Sequence, residues 1–331
     1  MTVVSVPRAE KSLMRALVPA LATGVLLALV PLRFGDSRVM MGLAVSGALF
    51  AAYAVAFNII FGSTGQLFLC VGALAGIGGY TSVILSDRFG LPMTVTMVMG
   101  TVLAGAFGGS FSWISVRRSL EAIFVGIVTL AFSLAFEQFI LGQRDLTGGE
   151  TGLRVSTGAD TFLREQVPPY YLFVGLVVAY LIIYQVLHRS HLGWAFRALR
   201  DDEEAAELAG VNVARYRIYA GIIGSAMIGL AGALFAHVEG FIGPSTYAFG
   251  SVDIRVLVMI AFGGIGTLLG PVIGAGTFTI IDELMADLTQ LRVVLYGSLI
   301  VAIFLGFKRG LVATVASWFR RENPPGSTPS A

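Results

Sequence analysis

Apolar runs about 20 residues long, parted by short polar segments, set the rhythm of this chain, and a helix of that length crosses the hydrocarbon core of a bilayer. Such runs fall near 15–32, 39–61, 66–86, 92–115, 120–141, 169–187, 214–237, 251–268, 270–286 and 292–307. Glycines interrupt the third, eighth and ninth, so the pattern predicts about 10 spans, within a range of 8–10. The expected fold class is all-α, a polytopic transmembrane helical bundle over 15–311. A cytoplasmic N-terminal segment, 1–14, precedes it, and a cytoplasmic tail, 312–331, follows, its end polar, rich in Pro and Ser and expected to be disordered. Arg8, Lys11 and Arg15 before the first run superficially imitate a signal peptide, but Ala20-Leu21-Ala22 comes too early for a cleavage site. That run is read as a retained span.

Composition agrees with the pattern. Of 331 residues, 56% are apolar and only 13% charged, against about 25% charged in ordinary globular proteins. A net charge of +2 gives no reason to expect a nucleic-acid partner. With the N-terminus inside, 14 of the 22 Lys and Arg fall in inner segments and 7 in outer ones, Arg255 being unassigned. That bias places both termini and the 188–213 loop in the cytoplasm, and the 142–168 loop outside.

The 188–213 loop holds the only dense block of charge. Asp201, Asp202, Glu203, Glu204 and Glu207 follow Arg197 and Arg200. Asp201 or Asp202 can cap a helix, the glutamates suit its positive end, and Gly210 stops it. Ala205, Leu208 and Ala209 then share one face of a two-turn helix. Two turns do not hold themselves together in water, so the helix needs a surface to dock on.

Two other stretches break apolar runs with glycine and polar groups: Asn58 to Gln66 (NIIFGSTGQ) and Phe262 to Pro271 (FGGIGTLLGP). Irregular backbone at membrane depth survives only inside protein or beside a water-filled cavity. Asn58, Thr64, Gln66, Gly263, Gly264 and Gly266 are therefore candidates to line a translocation path; tight cytoplasmic turns are the equal alternative. The two stretches share an FG-x-x-G-x-L pattern, too short to establish a repeat.

No catalytic constellation is present. There is no G-x-x-x-x-G-K-[ST] loop, and the only lysines are Lys11 and Lys308, so ATP chemistry by that route is excluded. Cys70 stands alone. His188 and His191 lack a third ligand nearby and read as an interfacial anchor rather than a metal site. Glu137 and Asp282, Glu283 and Asp287 lie toward outer span ends, where they reach water. Asp253 and Arg255, two apart, do not face each other on a helix and would pair with other spans.

RDDEEAAELAGVNVARYR (200–217) resembles the cytoplasmic loop of LivM-type permease subunits of branched-chain amino acid ABC transporters. LTGGETGL (146–153), NIIFGSTGQLFLCVGALAGIGGYTSVIL (58–85), IGLAGALFAH (228–237), GFIGPSTY (240–247) and FGGIGTLLGPVIGA (262–275) are similar to the same family. The resemblance implies that Glu204, Ala205, Ala206 and Gly210, within the capped segment Asp201, Asp202 and Glu203, form a coupling helix on an ATP-binding subunit. It further implies a second permease subunit, two ATP-binding subunits carrying ATP-Mg, an extracytoplasmic solute-binding protein, and a bacterial or archaeal inner membrane. The chain itself would hold no cofactor and no metal, and would be no enzyme. One departure stands out: the family's Ser-Leu-Gly-His is Phe68-Leu69-Cys70-Val71 here, which bears on substrate. Branched-chain or other hydrophobic amino acids are the expected cargo, with urea or short amides as an alternative. An ion-coupled secondary transporter is the reading from another class, and would need intramembrane acids.

Overall fold

The computed structural model describes residues 9–155, 165, 167–284 and 298, with side chains from residue 17 onward. Helices dominate: α1 (Ala9–Ala28), α2 (Val30–Phe34), α3 (Arg38–Phe57), α4 (Val71–Phe89), α5 (Met93–Arg117), α6 (Ala122–Gly142), α7 (Arg144–Thr147) and α8 (Pro168–Arg189). They continue with α9 (His191–Asp201), α10 (Glu203–Leu208), α11 (Val213–Glu239), α12 (Asp253–Gly263) and α13 (Gly270–Leu284). Two-residue strands β1 (Leu153–Arg154) and β2 (Phe241–Ile242) pair antiparallel, Leu153 opposite Ile242.

Among the described residues, six helices are long and apolar enough to cross a membrane: Leu17–Phe34, Arg38–Gly62, Met93–Arg117, Ala122–Gly142, Pro168–Arg189 and Val213–Glu239. Their apolar surfaces point outward as a lipid-facing bundle requires, with Val102 65% and Ile123 67% exposed. The chain is an all-helical, multi-pass membrane protein.

The glycine-interrupted spans depart from expectation. The third opens only at Val71, after an irregular stretch, and runs to Phe89 rather than 86. The eighth is half a span: α12 has 11 residues, about 16 Å of rise against a core about 30 Å thick. Of the expected 251–268, residues 251–252 and 264–268 are not helical, and ahead of them, from Gly243, the chain is irregular apart from a short 3-10 turn at Pro244–Tyr247. Hydropathy is the same whether an apolar run stays helical or not, so it cannot separate the two. The ninth, α13, has 15 residues, about 22 Å. The tenth expected span, 292–307, apart from residue 298, and Asp287 lie outside the described residues.

At the centre runs α11, packed along α5, α4 and α3. In lipid no hydrophobic drive pulls helices together, so close backbone approach does the work. A methyl group at Gly78 of α4 would overlap the carbonyl of Gly229 on α11. Beside this core α8 packs on α1 and α3, and the Tyr170 hydroxyl donates to the Leu27 carbonyl at 2.7 Å. The described part of the loop after α6, up to Val155, is folded. Gly148, Gly149 and Gly152 of its LTGG-x-x-GL segment all have positive φ, 75°, 55° and 68°. Its strand β1 ties it to β2, just past the end of α11. Strands were not expected from an all-apolar pattern.

Candidate functional site

The two glycine-rich breaks meet. α3 ends in a wider π-turn at Asn58–Gly62, a distortion that recurs at functional sites. From that turn the fully buried Asn58 reaches the second break, 208 positions along the chain. Its Nδ2 donates to the Thr267 carbonyl at 2.8 Å, and its Oδ1 accepts the Gly266 N–H at 2.7 Å. A side-chain amide thereby does what a strand neighbour would do for two backbone groups. The shared FG-x-x-G-x-L pattern has a matching shape: Gly65 and Gly266 occupy equivalent places and have φ +71° and +73°.

Thr64 and Gln66 extend the junction. Thr64 Oγ1 donates to the Ile60 carbonyl at 2.7 Å and accepts Gln66 Nε2 at 2.9 Å. Gln66 Nε2 also donates to the Arg217 carbonyl at 3.0 Å, near the start of α11. Gly263 lies against Gly270, where α12 turns back into α13, and a side chain there would strike the Gly270 carbonyl. The structure thus brings Asn58, Gly266 and the turn holding Gly263 and Gly264 into one place, with Thr64 and Gln66 on the adjoining side facing α11. Asn58, Thr64 and Gln66 are all buried, as is Gly263.

The charged loop sits on this junction. Ser190 caps α9, its side chain accepting the Leu192 N–H at 3.2 Å, a helix the sequence pattern did not set apart from the loop. Of the two candidate caps for α10, Asp202 serves: its Oδ1 accepts the Ala205 N–H at 3.0 Å. Gly210, at φ +84°, ends the motif. Ala206 is the buried residue of α10, while Ala205 and Ala209 are open and Leu208 is 91% exposed. Asp201 and Glu204 are exposed too, whereas Glu203 Oε2 pairs with Arg217 Nη2 at 2.8 Å. Arg200 Nη2 donates to the Ile265 carbonyl at 3.2 Å, and Tyr184 hydroxyl to the Gly266 carbonyl at 3.1 Å. His188 stacks on Tyr184 with ring centroids 4.0 Å apart and lies 3.5 Å from the Ser63 hydroxyl. Among the described residues no group of three or more His, Cys, Asp or Glu could hold a metal.

A second polar centre gathers around Asp253, whose partners the sequence did not name. Asp253, 2% exposed, is the first residue of α12. Its Oδ1 accepts the Gly72 N–H at 3.1 Å and its Oδ2 the Ser133 hydroxyl at 3.2 Å. One carboxyl group therefore meets the N-terminal turns of both α4 and α12, where unpaired N–H groups favour an acceptor. Arg255 instead faces α13, with Nη1 3.5 Å from Asp282 Oδ2. Asp253 stands at a helix end and pairs with other elements, as the sequence led one to expect; its partners were not legible beforehand.

Residues 39–307 match the family model described as the permease component of branched-chain amino acid transport systems. The chain is similar to the high-affinity branched-chain amino acid transport permease LivM of Escherichia coli K12, 26% identical over 316 residues, covering 88% of this chain and 74% of that protein. LivM of Salmonella typhimurium is 27% identical over 305 residues, 84% of this chain and 71% of that one. LivH of Escherichia coli K12 is 23% identical over 286 residues, 80% and 92%. No solved structure matches. With 39–307 matched, most of its length, the chain belongs to the family of branched-chain amino acid transport system permease components.

Proposed function

We propose that this chain is a permease subunit of an ATP-driven importer of branched-chain amino acids, working with a second permease subunit, two ATP-binding subunits and an extracytoplasmic solute-binding protein. The observation that carries the reading is Leu208, 91% exposed on a capped two-turn helix whose Ala205 and Ala209 are also open. A six-residue helix is too short to be stable without packing, and only Ala206 of α10 is buried against its own chain. The open face is where an ATP-binding subunit docks. ATP-Mg is bound and hydrolysed there, and this chain receives the motion. On this reading α10 and both termini are cytoplasmic, the chain crosses the inner membrane about ten times, and the 142–168 loop meets the binding protein outside.

The Asn58–Gly266 junction, with Thr64, Gln66, Gly263 and Gly264, is then the cytoplasmic closure of the translocation path rather than its wall. Alternating access opens it by rigid-body movement at packed interfaces. Ala205→Arg tests the docking surface: coupled uptake of labelled leucine should vanish while the protein remains in the membrane. Uptake at the normal rate would refute the role of α10. A second reading, urea or short amides as cargo, draws on one departure: Phe68 and Val71 stand buried where the family pattern has Ser and His. Competition of leucine uptake by urea separates the two.

A further inference from the structure

Two arginines flank α10, and each reaches one of the two breaks. Arg200, on the last turn of α9, crosses to the second break, where its Nη2 holds the Ile265 carbonyl at 3.2 Å. The place its guanidinium occupies exists because residue 266 is glycine; a methyl group there would overlap it. Arg217, in the second turn of α11, pairs through Nη2 with Glu203 of α10 at 2.8 Å. The backbone carbonyl of that same Arg217 accepts Gln66 Nε2 from the first break at 3.0 Å. The loop thus has two arms: Arg200 to Ile265, and Glu203 through Arg217 to Gln66. Asn58 joins the two targets to each other.

These contacts are poor glue. The Arg200 bond is exposed, and Glu203 is 44% exposed in its pair, so water and salt screen both. What they fix is direction. Both arms start within three residues of one another, at the entry to α10, so a displacement of that point pulls on both breaks together.

We propose that Arg200 and Arg217 are positioning residues through which movement of α10 opens the Asn58–Gly266 junction. This rests on the importer reading given above. The arms act on the junction only; neither arginine contacts cargo or nucleotide.

The test uses the complete importer, with its partner permease, ATP-binding subunits and binding protein, reconstituted in proteoliposomes and assayed for leucine uptake and ATP hydrolysis together. Arg200→Gln should assemble and hydrolyse ATP, with leucine moved per ATP falling 5- to 150-fold, the usual span of a coupling free energy. Arg200→Lys, which keeps a donor and a charge, should recover part of the loss. Glu203→Arg and Arg217→Glu should each uncouple, and the two together should restore uptake per ATP, because the swap rebuilds the pair. An unchanged ratio in Arg200→Gln overturns the proposal. So does a parallel loss of uptake, hydrolysis and assembled complex, which marks the arms as structural. If the unsubstituted complex takes up no leucine with ATP, the importer reading itself fails, and that is visible before any variant is made.

Discussion

Asp253 accepts the backbone N–H of Gly72 at 3.1 Å, so the first residue of α12 serves the first turn of α4. Gly72 and Asp253 are both buried, so the carboxyl group supplies an acceptor to these N-terminal turns that solvent does not. Asp253→Ala removes the acceptor for Gly72 and for Ser133 at once. Hydrogen bonds to a carboxylate contribute about 1.5–3 kcal/mol each, so detergent-solubilised protein should melt well below the parent. Asp253→Asn keeps one acceptor oxygen and should lie between them. An alanine variant as stable as the parent would show that the bonds contribute nothing.

Asn58→Ala should loosen the junction without touching the loop. Both Gly266 N–H and Thr267 carbonyl lose their partner, and as these groups are part-buried the cost is about 0.5–1.5 kcal/mol for each bond. The expected readout is faster labelling of an introduced Ile265→Cys by a membrane-impermeant maleimide. Asn58→Asp should be worse, because it sets a second acceptor against the Thr267 carbonyl. Equal labelling rates in parent and variants would exclude a closed junction.

Gly266→Ala and Gly276→Ala form a contrasting pair. At Gly266, φ is +73° and the added methyl displaces the Arg200 guanidinium, so backbone strain of about 1–2 kcal/mol joins the loss of one arm. At Gly276 nothing lies within 4 Å of the added group, inside a helix where alanine is favoured by about 0.5–1 kcal/mol. Thermal melting should therefore drop for the first and hold or rise for the second, and uptake per ATP should fall only for the first.

Ala206 and Leu208 sit two residues apart on α10 and should separate folding from docking. Ala206 is 4% exposed, so Ala206→Leu overpacks the seat of the helix on its own chain, at a cost of about 1–3 kcal/mol. Leu208→Ser touches nothing in this chain and should leave its melting within about 0.5 kcal/mol of the parent. Co-purification of the ATP-binding subunits should weaken with Leu208→Ser, by upward of about 1 kcal/mol if Leu208 is an anchor. Undiminished co-purification would count against the exposed face as the docking surface.

How far the sequence carries is visible residue by residue. Helix α10 was legible because its signals are local: Asp202 caps it, Gly210 stops it, and the alanines and Leu208 declare a face. The long spans were legible from length and apolarity alone. The half-length of α12 was not, because Ile265, Leu268 and Leu269 keep the run apolar after the helix has stopped at Gly263. Asn58 and Gly266 were both picked out as members of broken stretches, yet nothing local says that they bond each other across 208 positions. Asp253 was expected at a helix end and paired with other spans, but which partners it takes was not legible, because Gly72 and Ser133 are 181 and 120 residues away. Phe68-Leu69-Cys70-Val71 was visible as a departure, and its place across the N-terminus of α4, which starts at Val71, gives it a location but not a role.

The small β1–β2 ladder puts the two faces of the protein in mechanical series. It fastens the folded loop after α6 to the chain just beyond Glu239, the last residue of α11. That helix has 27 residues, a stiff rod about 40 Å long, and its first turns carry Arg217 beside α10. A load applied to the loop on one side therefore arrives, through a single lever and without passing along any flexible tether, at the charged helix on the other.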